Sequence, residues 1–109
     1  SETNLLKGLE LGCSGIITAT CNVTAELSRK VYDDFISKKT QTDNQKLVDV
    51  RTVFDNYNLI SGLHTYCAQE NDIFKNILPP LSLLNKGDEK ELFERLKKLN
   101  FKIKSSLAA

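Results

Sequence analysis

One uncharged apolar run, GCSGIITATCNV at residues 12–23, most constrains what this chain can fold into. Its part at residues 16–21 is nearly continuous in apolar residues and broken only by threonine, which is typical of a strand buried on both faces. A lone strand cannot satisfy its own backbone hydrogen-bonding groups, and no other segment indicates a strand as convincingly. The sequence therefore predicts a strand at residues 16–21 whose pairing partners must come from elsewhere.

Helical patterns surround this predicted strand. A leucine stripe over residues 2–11 predicts a short helix, and Gly12 suits its C-terminal end. Residues 76–84 contain two adjacent prolines and are expected to be extended, because an interior proline breaks a helix. Further helices are predicted from the cap residues at 22–24 to about 38, from the capping-box sequence at 42–45 to about 57, over 62–70, and from 88 onwards.

The resulting order is helix, strand, helix and then a helical tail. A strand between two helices is the rhythm of a parallel α/β sheet. Such a sheet needs several strands, whereas this chain offers one.

Size and charge exclude several classes of function. The chain has 109 residues, which suits one domain, and its net charge of +1 favours neither nucleic acid nor a membrane surface as a partner. No apolar segment is long enough to span a bilayer, and the first residues lack the basic start of a signal peptide. We therefore expect a cytoplasmic protein without nucleic-acid or membrane partners.

Cysteine and histidine usage argues against a metal centre. The three cysteines, Cys13, Cys21 and Cys67, are odd in number and lack the CxxC spacing of zinc sites. The lone histidine, His64, has no partner at metal-ligand spacing. The sequence therefore predicts free thiols, no metal and no cofactor.

The run at 12–23 also resembles a known family. GLELGCSGIITATCNV is similar to the last strand unit of the dihydrodipicolinate synthase / N-acetylneuraminate lyase family, and the stretches around residues 61–64 and 78–81 are similar to that family's distal helix and leucine- and proline-rich turn. The positions that fill the family's Gly-x-x-Gly-[Val/Ile]-Ile pattern and the asparagine after it are Gly12, Gly15, Ile16, Ile17, Thr18 and Asn22.

The resemblance implies an α/β fold, the TIM (β/α)8 barrel, of which this chain would be the C-terminal part. It would hold the seventh helix, the eighth strand, the eighth helix and the C-terminal helices, and so be mostly helical as a fragment. Residues 1–38 would carry the last β/α units, and residues 39–109 would form a helical segment packed on the barrel. A whole barrel needs about 250 residues, so the N-terminal remainder of the barrel would be a partner of this chain.

The resemblance also implies an activity. Members of the family form a Schiff base between a lysine and pyruvate or another 2-oxo acid. The first expectation is 4-hydroxy-tetrahydrodipicolinate (dihydrodipicolinate) synthase, a class I aldolase-type enzyme of lysine biosynthesis. N-acetylneuraminate lyase, or a 2-keto-3-deoxy sugar-acid aldolase or dehydratase, is the alternative within the class. Pyruvate and an aldehyde would be the substrates, and the enzyme would be a homo-oligomer, such as a homotetramer.

The resemblance assigns substrate-binding residues but no catalytic residue, because the family's lysine and tyrosine would lie outside this chain. Ile17 and Thr18 would lie beside the Schiff-base carbon. Glu2 resembles an acidic residue that binds sugar-acid hydroxyls, and Thr3 follows it where some sialate lyases carry an acid. Structural roles are the alternatives: barrel core for Ile17, a locally satisfied hydroxyl for Thr18, and a first-turn acid for Glu2.

A function of a different class stays open at this point. The chain could be a small helical domain that binds a protein partner. That hypothesis predicts that the chain folds alone and buries both faces of the run at 12–23 within itself.

Overall fold

The computed structural model describes residues 1–102, which form helices joined by irregular segments. A 3-10 helix at Glu2–Asn4 leads directly into helix α1, and a second 3-10 helix, Asp72–Lys75, lies between α4 and α5. The α-helices are α1 (Leu5–Glu10), α2 (Cys21–Ile36), α3 (Asn44–Asp55), α4 (Leu59–Cys67) and α5 (Lys86–Lys98).

The predicted strand at residues 16–21 is wrong, and with it the predicted α/β class and (β/α)8 barrel. No strand occurs among residues 1–102. Ile17, for which the resemblance implies a place beside the Schiff-base carbon and the alternative was barrel core, is fully exposed (101%). The backbone groups of residues 14–17 make no hydrogen bond within the described part of the chain. A strand needs a neighbouring strand along its edges, and none of the described segments supplies one.

The helical predictions are confirmed, with shifts at the helix ends. Gly12 follows α1 with a φ of 95°, the left-handed conformation that suits glycine after a helix. Helix α2 starts at Cys21, the last residue of the predicted strand, with Thr20 as its N-cap residue. Helix α5 starts two residues before Asp88, because the side chain of Asn85 accepts a hydrogen bond from the Asp88 backbone N–H at 2.8 Å.

The larger hydrophobic core joins α3, α4 and α5 around Phe54, which has no exposed surface. The Phe54 ring meets Tyr66 edge to face, with 5.8 Å between the ring centroids. Tyr66 also packs against Phe93 and stacks on Phe101. The buried members of this core are Val23, Val50, Phe54, Leu63, Tyr66, Cys67, Leu92 and Leu96.

A smaller core fastens the N-terminal helices to the rest. Leu5 and Leu9 of α1 pack with Val31 of α2 and Leu47 of α3, all of them buried. This packing brings the 3-10 helix at the chain start against α3. The predicted division between residues 38 and 39 falls in the connection between α2 and α3, and the two helices share this core.

A polar contact ties the segment after α3 to α5. The hydroxyl of Tyr57 donates a hydrogen bond to Oε1 of Glu91 at 2.6 Å. Burial and this bond to a carboxylate both favour the neutral phenol, and they raise the pKa of Tyr57 to about 12.

Replacing Phe54 with alanine should lower the free energy of unfolding by about 3–5 kcal/mol, because the change opens a cavity in the larger core. Replacing Ile17 with alanine should change it by less than about 0.5 kcal/mol, because that side chain is exposed. Urea unfolding followed by circular dichroism measures both. A large loss in Ile17→Ala would show that residue 17 is buried and would contradict this structure.

The contact between Tyr57 and Glu91 can be tested by alkaline titration. The tyrosinate absorbance assigned to Tyr57, taken as the difference between the wild type and Tyr57→Phe, should appear only near pH 12. In Glu91→Gln the pKa of Tyr57 should fall toward its ordinary value, because the neighbouring negative charge is gone. An unchanged pKa in Glu91→Gln would show that the hydrogen bond does not form.

Candidate functional site

A buried polar cluster surrounds the carboxylate of Glu2, which has no exposed surface. Oxygen Oε1 accepts hydrogen bonds from the hydroxyls of Thr20 and Thr24, the latter at 2.9 Å. Oxygen Oε2 accepts from the hydroxyl of Thr18 at 3.0 Å. We call this group the Glu2 cluster, and its members are Glu2, Thr18, Thr20, Thr24 and Arg51.

Arg51 of α3 supplies the positive charge of the Glu2 cluster. Its Nη1 lies 3.0 Å from Oε2 of Glu2 and donates to the hydroxyls of Thr18 and Thr20, each at 2.9 Å. Its Nε pairs with Asp55, one helical turn further along α3, at 2.8 Å. The side chain of Arg51 is only 14% exposed, so this ion pair is largely shielded from solvent.

Three separate segments place these groups. Glu2 stands in the first 3-10 helix, whose N-cap residue Ser1 accepts a hydrogen bond from the Thr3 backbone N–H. Thr20 and Thr24 stand four residues apart at the start of α2, a spacing that puts both hydroxyls on one face of the helix. The Glu2 cluster therefore joins the chain start, the segment at residues 18–24 and α3.

The electrostatics of the Glu2 cluster keep both charges in place. Burial alone would raise the pKa of the Glu2 carboxyl, but the hydrogen bonds from Thr20, Thr24 and Thr18 and from its own backbone outweigh burial and lower it. Burial likewise opposes the charge of Arg51, and the bonds to Asp55 and Glu2 outweigh it, so that the pKa of Arg51 is raised. Glu2 and Arg51 consequently form an ion pair.

The structure brings together two of the four predicted substrate-binding residues. Glu2 and Thr18 are joined by a hydrogen bond of 3.0 Å. Ile17 precedes Thr18 with a fully exposed side chain outside both hydrophobic cores. Thr3 is exposed as well, and its hydroxyl bonds with that of Ser1 at 2.9 Å.

The sequence reasoning did not identify the remaining members of the Glu2 cluster. The four-residue spacing of Thr20 and Thr24 is typical of two side chains on one helix face. The predicted strand at residues 16–21 conceals this signal, because it places Thr20 outside the helix. Arg51 has no local signal, since it reaches Glu2 only through the packing of α3 against the chain start.

Metal binding finds no support in the part of the chain that the structure describes. No group of three or more histidine, cysteine, aspartate or glutamate side chains could hold an ion there. The thiols of Cys13, Cys21 and Cys67 are free. The Glu2 cluster itself offers a carboxylate, three hydroxyls and a guanidinium group.

Among residues 1–102, no helix combines the length and the apolar character needed to cross a membrane.

No protein-family model, curated protein or solved structure matches this chain. The family resemblance accordingly rests on the residue pattern alone.

Replacing Glu2 with glutamine should lower the free energy of unfolding near pH 7 by about 1–3 kcal/mol, because Arg51 loses its buried counter-charge. The lowered pKa of Glu2 means that the carboxylate adds stability above its ordinary pKa of 4.5, and that this stability is lost as pH falls through the folded-state pKa below that value. The difference between wild type and Glu2→Gln should therefore shrink in acid.

Urea unfolding between about pH 7 and about pH 3 measures this difference. Glu94→Gln is the matched control, since Glu94 is exposed and makes no ion pair with the described residues. Equal stability of wild type and Glu2→Gln at pH 7 would contradict the buried ion pair.

Proposed function

We propose that this chain contributes a substrate-facing segment to a Schiff-base-forming lyase or synthase that acts on pyruvate or another 2-oxo acid. The observation that carries the proposal is the hydrogen bond between Glu2 and Thr18. The resemblance assigns both residues to substrate binding, and they meet although they lie 16 positions apart in the sequence.

The Glu2 cluster supports this role by fixing Thr18 in place. The Thr18 hydroxyl donates to Glu2 and accepts from Nη1 of Arg51, so both of its main hydrogen-bonding functions are engaged inside the protein. The Glu2 carboxylate is fully buried and engaged in the same way. We therefore give these two side chains a positioning role in place of the direct substrate contact that the resemblance implies for them.

The backbone that leads into the Glu2 cluster offers N–H groups that could bind a substrate. The N–H groups of residues 14–18 have no hydrogen-bonding partner among the described residues, and the side chain of Ile17 is fully exposed. Backbone N–H groups without a partner suit the negative oxygens of a 2-oxo acid. We therefore assign substrate contact to the backbone of Ile17 and Thr18, with the Ile17 side chain as an apolar wall.

The reactive lysine is proposed to lie outside this chain, as the resemblance implies. The described lysines are exposed except Lys46, which is half-buried and donates to the carbonyl of Asn100 at 3.1 Å. A Schiff-base lysine instead needs a desolvated position that lowers its pKa.

Within the lyase class, we propose 4-hydroxy-tetrahydrodipicolinate synthase first and the sialate or 2-keto-3-deoxy sugar-acid enzymes as alternatives. The burial of Glu2 favours the synthase, because an enclosed carboxylate cannot bind the hydroxyls of a sugar-acid tail. A homo-oligomer is part of this proposal.

Borohydride reduction in the presence of pyruvate tests the proposal on the native full-length protein. Reduction should trap a pyruvyl adduct on a lysine, seen as an increase in intact mass and located by peptide mapping. Failure to trap an adduct, under conditions that trap a known class I aldolase, would contradict the mechanism.

Thr18→Val tests the part played by the Glu2 cluster, since valine keeps the shape of threonine and removes the hydroxyl's bonds to Glu2, Thr20 and Arg51. The trapping rate at low pyruvate concentration should fall about five- to twentyfold, because the backbone at 17–18 loses its anchor. Thr52→Val is the matched control, since Thr52 is exposed on α3 and its hydroxyl donates only to the Val48 carbonyl. Equal trapping rates in the two variants would contradict the proposal that the Thr18 hydroxyl positions the backbone at 17–18.

A small helical module that binds a protein is the second candidate. It is favoured by the two hydrophobic cores that the described helices close among themselves, together with the exposure of Ile73 and Leu78. Its expectation that the chain buries both faces of the run at 12–23 is wrong at Ile17, which is fully exposed. The module predicts a cooperative, monomeric thermal melt of the isolated chain and no pyruvate adduct in the native protein.

A further inference from the structure

An apolar cavity of about 270 Å³ lies on the face of α4 that meets the start of α2 and the second 3-10 helix. It is separate from the Glu2 cluster and shares no residue with it. An apolar cavity of about 150 Å³ holds benzene, so this one has room for a molecule of one or two rings. Its lining residues are Ala19, Asn22, Ile60, Leu63, His64, Cys67 and Phe74.

Two side chains in this lining, His64 and Asn22, carry hydrogen-bond acceptors. Nδ1 of His64 lies 2.7 Å from the backbone carbonyl oxygen of Phe74 and must carry the proton, because a carbonyl only accepts. In the neutral ring Nε2 is then an acceptor. The side-chain N–H of Asn22 donates to the Ala19 carbonyl at 2.8 Å, which leaves Oδ1 of Asn22 as a second acceptor.

Among residues 1–102, no charged side chain lines the cavity. Burial raises the pKa of Cys67 and keeps its thiol neutral, so the thiol adds polarisable, nearly apolar surface. Without a cation in the lining, an anion such as a 2-oxo acid would be desolvated there without compensation.

We propose that this cavity binds a small uncharged aromatic molecule that carries one N–H or O–H donor, such as a phenol or an indole. The apolar walls take the ring, and the acceptor on His64, or the one on Asn22, takes the donor. The required chemistry differs from that of the 2-oxo acids assigned to the Glu2 cluster, so this proposal and the lyase proposal can fail independently.

Titration of the full chain with phenol, followed in two-dimensional amide NMR spectra, tests the proposal. The amide signals of Asn22, Leu63 and His64 should shift and saturate. Phenol should bind more tightly than toluene, although toluene is the more apolar molecule, and benzoate should not bind. Absence of saturable shifts, toluene binding as tightly as phenol, or benzoate binding at the same residues would overturn the proposal.

His64→Phe tests the acceptor, because phenylalanine keeps an aromatic ring and removes both ring nitrogens. Phenol affinity should fall about three- to tenfold, the worth of one hydrogen bond, while toluene affinity stays within about twofold. Toluene thus controls for damage to the cavity. An equal loss for both ligands, or no loss for phenol, would overturn the role of His64. If the variant fails to fold, the relative affinity of the wild type for phenol and toluene still tests whether the cavity supplies a hydrogen-bond acceptor.

Discussion

The negative charge of Glu2 inside the helical body is the constraint on which the N-terminal half of the structure depends. An unpaired buried carboxylate would cost several kcal/mol, so its partners must be held in place. Those partners come from the start of α2 and from Arg51 on α3. The hydrogen bonds and the ion pair of the Glu2 carboxylate thereby fix where the first 3-10 helix, α2 and α3 meet.

The same constraint explains the irregular connection between α1 and α2. Its first end is fixed where the Cys13 backbone N–H donates to the Gly8 carbonyl at 2.9 Å, and its second end is fixed where Thr18 enters the Glu2 cluster. Between these points the backbone of residues 14–17 has no partner among residues 1–102, and Ile17 faces solvent. Residues 14–17 are thus fixed at both ends, and their backbone forms no hydrogen bond with the described residues in between.

The sequence predicts local features of this fold well and non-local ones poorly. The helices follow from apolar spacing and cap residues, because both act within a few positions of the chain. The strand was wrong because β-branched residues favour extended backbone but cannot supply the neighbouring strand that pairing requires. Glu2 and Thr18 became candidates only through the family resemblance, and Arg51 was not predicted at all, since its contact with Glu2 spans 49 positions.

Amide hydrogen exchange at residues 14–17 measures whether this connection, anchored at its ends, has a hydrogen-bonded backbone between them. We expect exchange within about tenfold of the unstructured rate at these positions, while the amides of Val50 and Phe54 in the buried part of α3 should be strongly protected. Protection of residues 14–17 comparable to that of α3 would show that their backbone is hydrogen-bonded, and would contradict the unpaired connection seen in this structure.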